Sequence, residues 1–154
     1  MKTTLLTFVL LIFSVNSISQ DYSGLDKIKL KKAEDFKNYE EKVLAVAEYL
    51  LSGPTDENAD NKIYCNRFLF RWMVGAEYSF EIGDDYSNFT KKRDELGSIY
   101  FAAMIKAAIT NDAEKVEADD IVKDAKEIFI DYCANPSNNV KPNKAIKVAI
   151  EERG

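Results

Sequence analysis

Leu96-Gly97-Ser98-Ile99-Tyr100-Phe101-Ala102-Ala103-Met104-Ile105-Lys106-Ala107-Ala108-Ile109 carries a single charge, and its period decides the fold. Leu96, Ile99, Tyr100, Ala103, Met104 and Ala107 recur at three and four, the spacing of one helical face. Phe101, Ile105 and Ile109 widen that face until little of the circumference is polar. A helix of this kind belongs at the centre of a bundle. It is read from about Thr90 to Thr110, with Thr90 in the N-cap position.

Working outward, the flanking segments supply partners for that helix. Phe36, Tyr39, Val43, Val46, Ala47 and Leu50 share one face of a helix predicted from Leu25 to Ser52, which Gly53-Pro54 ends. Its other face carries Lys37, Glu40, Glu41 and Glu48. A second helix from Asp60 to Val74 turns Cys65, Phe68, Leu69, Trp72 and Met73 inward, and Gly75 closes it. A fourth, from Ala118 to Ala134, buries Ile121, Ala125, Ile128, Phe129 and Tyr132 before Asn135-Pro136. A short fifth helix, Asn143 to Glu152, presents Ile146, Ala149 and Ile150. Between helices two and three, Tyr78-Ser79-Phe80-Glu81-Ile82 alternates with period two. It reads as one extended strip laying three apolar side chains over the helices, after which Gly83-Asp84-Asp85 turns the chain. The expected fold is all-α: a four-helix bundle-like core, a short C-terminal fifth helix and that strip.

The composition supports one globular domain and removes several chemistries. The chain has 154 residues, 46% apolar and 31% charged, and its six Gly and three Pro are too few for a turn-rich β-fold. There is no histidine. That excludes Ser-His-Asp and Cys-His nucleophiles, His-ligated zinc or haem, and an imidazole pH switch. The net charge of −5, with no basic block longer than Lys91-Lys92-Arg93, argues against nucleic acid as a partner.

The N-terminus has the order of a secretory signal: Lys2, an apolar run from Leu5 to Phe13 broken only by Thr7, then Ser14, Ser17 and Ser19. The run is far short of the roughly 20 residues that span a bilayer. Residues 1–19 are therefore expected to be a signal peptide cleaved after Ser19. Residues 20–154 then form one exported helical domain, periplasmic or secreted, with no membrane contact after cleavage.

No chemical motif survives inspection. Asp56, Asn58 and Asp60 have calcium-loop spacing, but Asn61 stands where glycine is needed and Arg67 where a bidentate Glu is needed. From Asp84, Glu95 falls at position twelve, but Tyr86 occupies position three. The acids Asp112, Glu114, Glu117, Asp119 and Asp120 suit the start of a helix instead. No metal and no cofactor is expected. Glu77, Glu81, Asp84 and Asp85 lie beside aromatics, where a carboxylate pair for glycoside hydrolysis is permissible. Trp72, Tyr78, Phe80, Tyr86 and Phe89 lie close together, with Trp72 and Phe80 read as core. Glu77, Tyr78, Asp84, Asp85 and Tyr86 are the candidate binding residues. The expected function is a non-catalytic interaction module for an envelope protein or polymer. Its alternatives are a carboxylate-dependent hydrolase acting on an envelope polymer and a small chaperone or inhibitor.

Cys65 and Cys133 are expected to be free. Export favours a disulfide, and a Gly75–Phe89 connection that recrosses the bundle would bring the two cysteines together, but in the commoner up-down bundle helices two and four run parallel. The two thiols then lie about 12 Å or more apart along the axis, beyond the roughly 7 Å between Cα atoms that a disulfide allows.

Trp72-Met73-Val74-Gly75-Ala76-Glu77-Tyr78-Ser79-Phe80, with Tyr132-Cys133-Ala134-Asn135-Pro136 downstream, resembles a group of uncharacterised small secreted helical proteins of environmental bacteria. The resemblance spans most of the exported chain. It implies export and a helical fold, and carries no activity and no catalytic residue.

Overall fold

The computed structural model describes residues 21–111 and 117–153. The expected signal segment and its expected cut after Ser19, together with Asp112 and Glu114, lie outside the described residues. Within them the chain is all helical, with seven α-helices and no strand: α1 Ala33–Asn38, α2 Glu40–Leu51, α3 Ala59–Gly75, α4 Asp84–Thr90, α5 Asp94–Thr110, α6 Ala118–Ala134 and α7 Lys144–Glu151. Two 3₁₀ turns, Ser23–Lys27 and Pro136–Asn138, flank them.

The apolar stretch that decides the fold is the central helix. Ten of the seventeen residues of α5 are buried, on nearly every side. α6 packs along one flank of α5, and α2 and α3 along the other, which makes the four-helix core. The alanines at 102, 103, 107 and 108 are wholly buried. Small side chains let the neighbouring helices approach α5 from both flanks while larger residues fill between them. α7 closes over α4 and α6. Its start is set by Asn143, whose side-chain oxygen accepts from Ile146 N at 3.1 Å. Tyr132 Oη donates to Gly53 O at 2.9 Å, tying the end of α6 to the α2–α3 connection.

Three local expectations are corrected. The first concerns the helix read from Leu25 to Ser52, which is broken into a 3₁₀ turn, α1 and α2. Arg71 of α3 is the reason for the early break. Its Nη2 donates to Leu25 O at 2.8 Å and its Nη1 to Ile28 O at 3.0 Å, engaging carbonyls that a continuous helix would give to its own amides. Residues 21–30 become a strap across α3. The helix then starts where Asp35 permits: its Oδ2 accepts from Lys31 N at 2.9 Å and Lys32 N at 3.0 Å. A second break falls at Tyr39 (φ −100, ψ 1), whose ring lies edge-on to Phe68 at 6.5 Å.

The second correction concerns Gly83-Asp84-Asp85 and Thr90. Gly83 is an N-cap, Asp84 and Asp85 open α4, and buried Thr90 ends it. Lys91 and Lys92 follow with φ of 43° and 68°, left-handed values that no right-handed helix contains. α5 therefore begins at Asp94 with Arg93 in the N-cap position, and Thr90 does not cap it. The third is smaller. Tyr78 and Phe80 pack on the core, but Ile82 is 56% exposed, so the strip lays down two side chains and not three.

Two predictions arise here. The amide bonds from Lys31 and Lys32 hold the Asp35 carboxyl below its ordinary value of 3.8. A carboxylate lowered on folding stabilises the fold above its unfolded pKa, and that contribution disappears as pH falls through the folded pKa. The start of α1 is thus expected to loosen below pH 3.8, read as faster amide exchange at residues 31 and 32. In Asp35→Asn that acid dependence is absent. The second concerns Tyr100, whose hydroxyl is buried with no hydrogen-bond partner among the described residues. Burial, with a smaller contribution from Asp85, pushes this phenol up to about 12. Tyr100→Phe deletes an unsatisfied group and keeps the ring, so stability is expected to hold or rise by about 1 kcal/mol in denaturant unfolding. A loss of that size would reveal a partner.

Candidate functional site

Gly75 is where the site begins. A β-carbon at this position would lie 2.2 Å from Phe36 Cζ and 2.4 Å from Phe36 Cε1. Glycine therefore lets the Phe36 ring of α1 lie directly on the backbone of α3. The residue does more than close a helix. The same pair of elements is joined by Trp72, whose Nε1 donates to Phe36 O at 2.8 Å and whose ring is wholly buried.

Past Gly75 the chain doubles back. Tyr78 comes to 5.4 Å from Trp72 between ring centroids, and Phe80 to 6.4 Å from Trp72 and 6.1 Å from Tyr78. Tyr78 Oη donates to Glu40 Oε1 at 2.5 Å, which holds the segment against the first turn of α2. Between α1, α2, the end of α3 and this segment is a cavity of about 210 Å³. Half-buried Phe36 and Tyr78 form its walls, with Ala33 and Ala76, and Trp72 lies behind them as its floor. Glu34, Glu40 and Glu77 stand around it against one cation, Lys37. The arrangement offers aromatic faces and carboxylate acceptors, which is equipment for holding a ligand in place.

The five candidate binding residues are divided between separate places. Glu77 and Tyr78 belong to this cavity. Asp84, Asp85 and Tyr86 belong to α4, on the other side of the segment. Tyr86 stacks on Phe101 at 5.2 Å and meets Tyr100 edge-on at 5.5 Å, with its hydroxyl over Gly97. Asp85 pairs with Lys126 Nζ at 3.0 Å, and that ammonium also lies 5.8 Å from the centre of the Phe89 ring. Asp84 is exposed in the first turn of α4, where a negative charge suits the helix dipole. Formation of α4 is what separates the two groups.

Phe36, Glu34 and Glu40 are site residues that periodicity missed. On one continuous helix, Phe36 belongs to the core stripe and Glu40 to the solvated face. The pattern that locates them is Lys31-Lys32-Ala33-Glu34-Asp35, an acid-capped helix start, and the glycine three residues after Trp72.

A second, wider groove of about 610 Å³ runs between the 21–30 strap and α2, where Tyr22, Leu25, Ile28, Tyr39 and Val46 form the apolar part. Lys62 Nζ donates to Pro54 O, and Glu57 and Asp56 draw on the same ammonium, so the Asp56–Asp60 loop serves a buried lysine. Among the described residues no cluster of three or more acidic or thiol groups is placed to hold a metal ion.

Cys65 and Cys133 are both buried and unpaired. Burial pushes each thiol up to about 12, so neither is a nucleophile at neutral pH. The native protein is expected to resist alkylation. After denaturation without reductant, intact mass should show two labels, and a protein taking none would contain a disulfide.

No family profile, no curated protein and no solved structure matches the chain.

Proposed function

We propose that this chain is an exported, non-catalytic interaction module of the cell envelope that seats its ligand in the Phe36–Tyr78 cavity. The observation that carries the reading is the preformed cavity of about 210 Å³, with aromatic walls and three carboxylates, in a chain without histidine. The signal-like order of residues 1–19 supports export. Among the described residues no helix is long and apolar enough to cross a membrane.

The chaperone or inhibitor reading has one specific observation behind it. Ile63, Phe70 and Val74 are 47%, 60% and 71% exposed, and their spacing along α3 aligns them as a stripe. Affinity capture from the native cell envelope separates the readings, using the mature protein, Tyr78→Ala and Phe70→Ser as baits. The module predicts a partner lost with Tyr78→Ala and kept with Phe70→Ser. The reverse pattern supports the stripe. Recovery of a polysaccharide that is turned over would replace both with the carboxylate-dependent hydrolase.

A further inference from the structure

We infer that the Phe36–Tyr78 cavity takes an alkylammonium group, with a methylated ammonium preferred over a primary one. The inference rests on the interaction-module reading and adds the chemical class of its ligand.

Three features point to a cation. Phe36 and Tyr78 line the cavity with aromatic rings, and a ring's negative quadrupole attracts positive charge within about 6 Å of its centre. Trp72 behind Tyr78, at 5.4 Å between centroids, extends the electron-rich surface inward. The surrounding charge is negative, three carboxylates against Lys37. An anion would face both the ring quadrupoles and the carboxylates, and a neutral sugar would leave the carboxylates without a complementary charge.

The volume narrows the class. About 210 Å³ admits a trimethylammonium group or the end of a lysine side chain, and no folded domain. Between these two, the lining favours methylated nitrogen. Glu40 is already committed to the Tyr78 hydroxyl at 2.5 Å. Ala33 and Ala76 offer no acceptor from their side chains, and the other two carboxylates, Glu34 and Glu77, belong to exposed residues that water already hydrates. A primary ammonium gives up strong hydration on entry, whereas methyl groups exchange water for ring faces. Two further parts of the structure hold the cage open before any ligand arrives. Gly75 seats the Phe36 ring, and the Tyr78–Glu40 bond sets the Tyr78 ring. Preorganised walls lower the ordering cost of binding.

The test is calorimetric titration of the mature chain with choline, with N-acetyl-lysine methylamide, and with 3,3-dimethylbutan-1-ol as the uncharged isostere of choline. Choline is expected to bind at least about tenfold tighter than the alcohol, and to weaken as salt is raised. Tyr78→Leu should cost about tenfold or more and Glu77→Gln a few-fold, with melting temperature measured alongside to exclude unfolding. Tyr78→Phe keeps the ring and should stay within a few-fold of wild type. Lys37→Gln removes the opposing ammonium and should tighten binding, a gain that a damaged protein does not give. Binding by the lysine probe alone, or more tightly than choline, overturns the preference for methylated nitrogen and with it the inference. Equal binding of the alcohol and choline, no binding of either ammonium probe, or binding indifferent to both Tyr78→Leu and Glu77→Gln overturns the inference. A neutral or anionic envelope partner lost with Tyr78→Ala would leave the module standing and overturn this ligand class alone. Polymer turnover by a protein that still binds choline would do the opposite.

Discussion

Trp72→Ala is expected to lose about 3–5 kcal/mol of folding stability, from a total that for a domain of this size is about 5–15 kcal/mol. The ring is wholly buried beneath Tyr78 and Phe80, so truncation leaves a cavity at the junction of α1, α3 and the returning segment. Truncation also leaves Phe36 O without the indole donor it meets at 2.8 Å. The melting temperature should fall by about 10–20 °C. Trp72→Phe separates the two contributions, because it retains most of the packing and loses the hydrogen bond, and should cost about 1–2 kcal/mol. A Trp72→Ala protein melting within a degree or two of wild type would contradict the packing of α3.

Phe129→Ala is expected to match it, at about 3–5 kcal/mol. This ring is wholly buried on α6, stacks on Phe89 of α4 at 5.6 Å and lies 5.2 Å from Tyr100 of α5. Aromatic pairs of this kind contribute about 0.5–1.5 kcal/mol beyond area burial. Loss of the ring removes the partner on which Phe89 of α4 stacks. Amides of α4 should then exchange faster than those of α5, and Phe89→Ala added to Phe129→Ala should cost less than the two single effects together. A change below about 1 kcal/mol, or equal protection of α4 and α5, would show that α4 is held by other contacts.

The helices that sequence pattern locates well are those whose apolar face is broad and keeps a regular period. α3, α5 and α6 were bounded to within a few residues because their buried positions recur at three and four, and because Asn135-Pro136 stops α6. α7 was legible from Asn143 and from Ile146 and Ala149. The break in the first helix is hidden from pattern because Phe36, Tyr39 and Val43 keep helical spacing through Tyr39. Periodicity does not register a single residue that leaves helical geometry while the stripe continues. α4 looks like a turn in the sequence because its seven residues are too few to establish a period.

Fold class, the central place of α5 and the exclusion of histidine chemistry are all legible from residue order alone. Each depends on composition or on neighbours a few positions apart. The cavity was decided by tertiary structure. Its makers are separated along the chain: Trp72 meets Phe36 across 36 residues, Tyr78 meets Glu40 across 38, and Arg71 meets Leu25 across 46. A helical period carries the energy of contacts three and four residues apart. It carries nothing about a distant guanidinium that captures a helix's carbonyls, or a glycine whose missing β-carbon admits a ring from another helix. Those interactions exist only once α1, α2 and α3 have packed, and that is why Glu77 and Tyr78 share a site with Phe36 and Glu40 and not with Asp84, Asp85 and Tyr86.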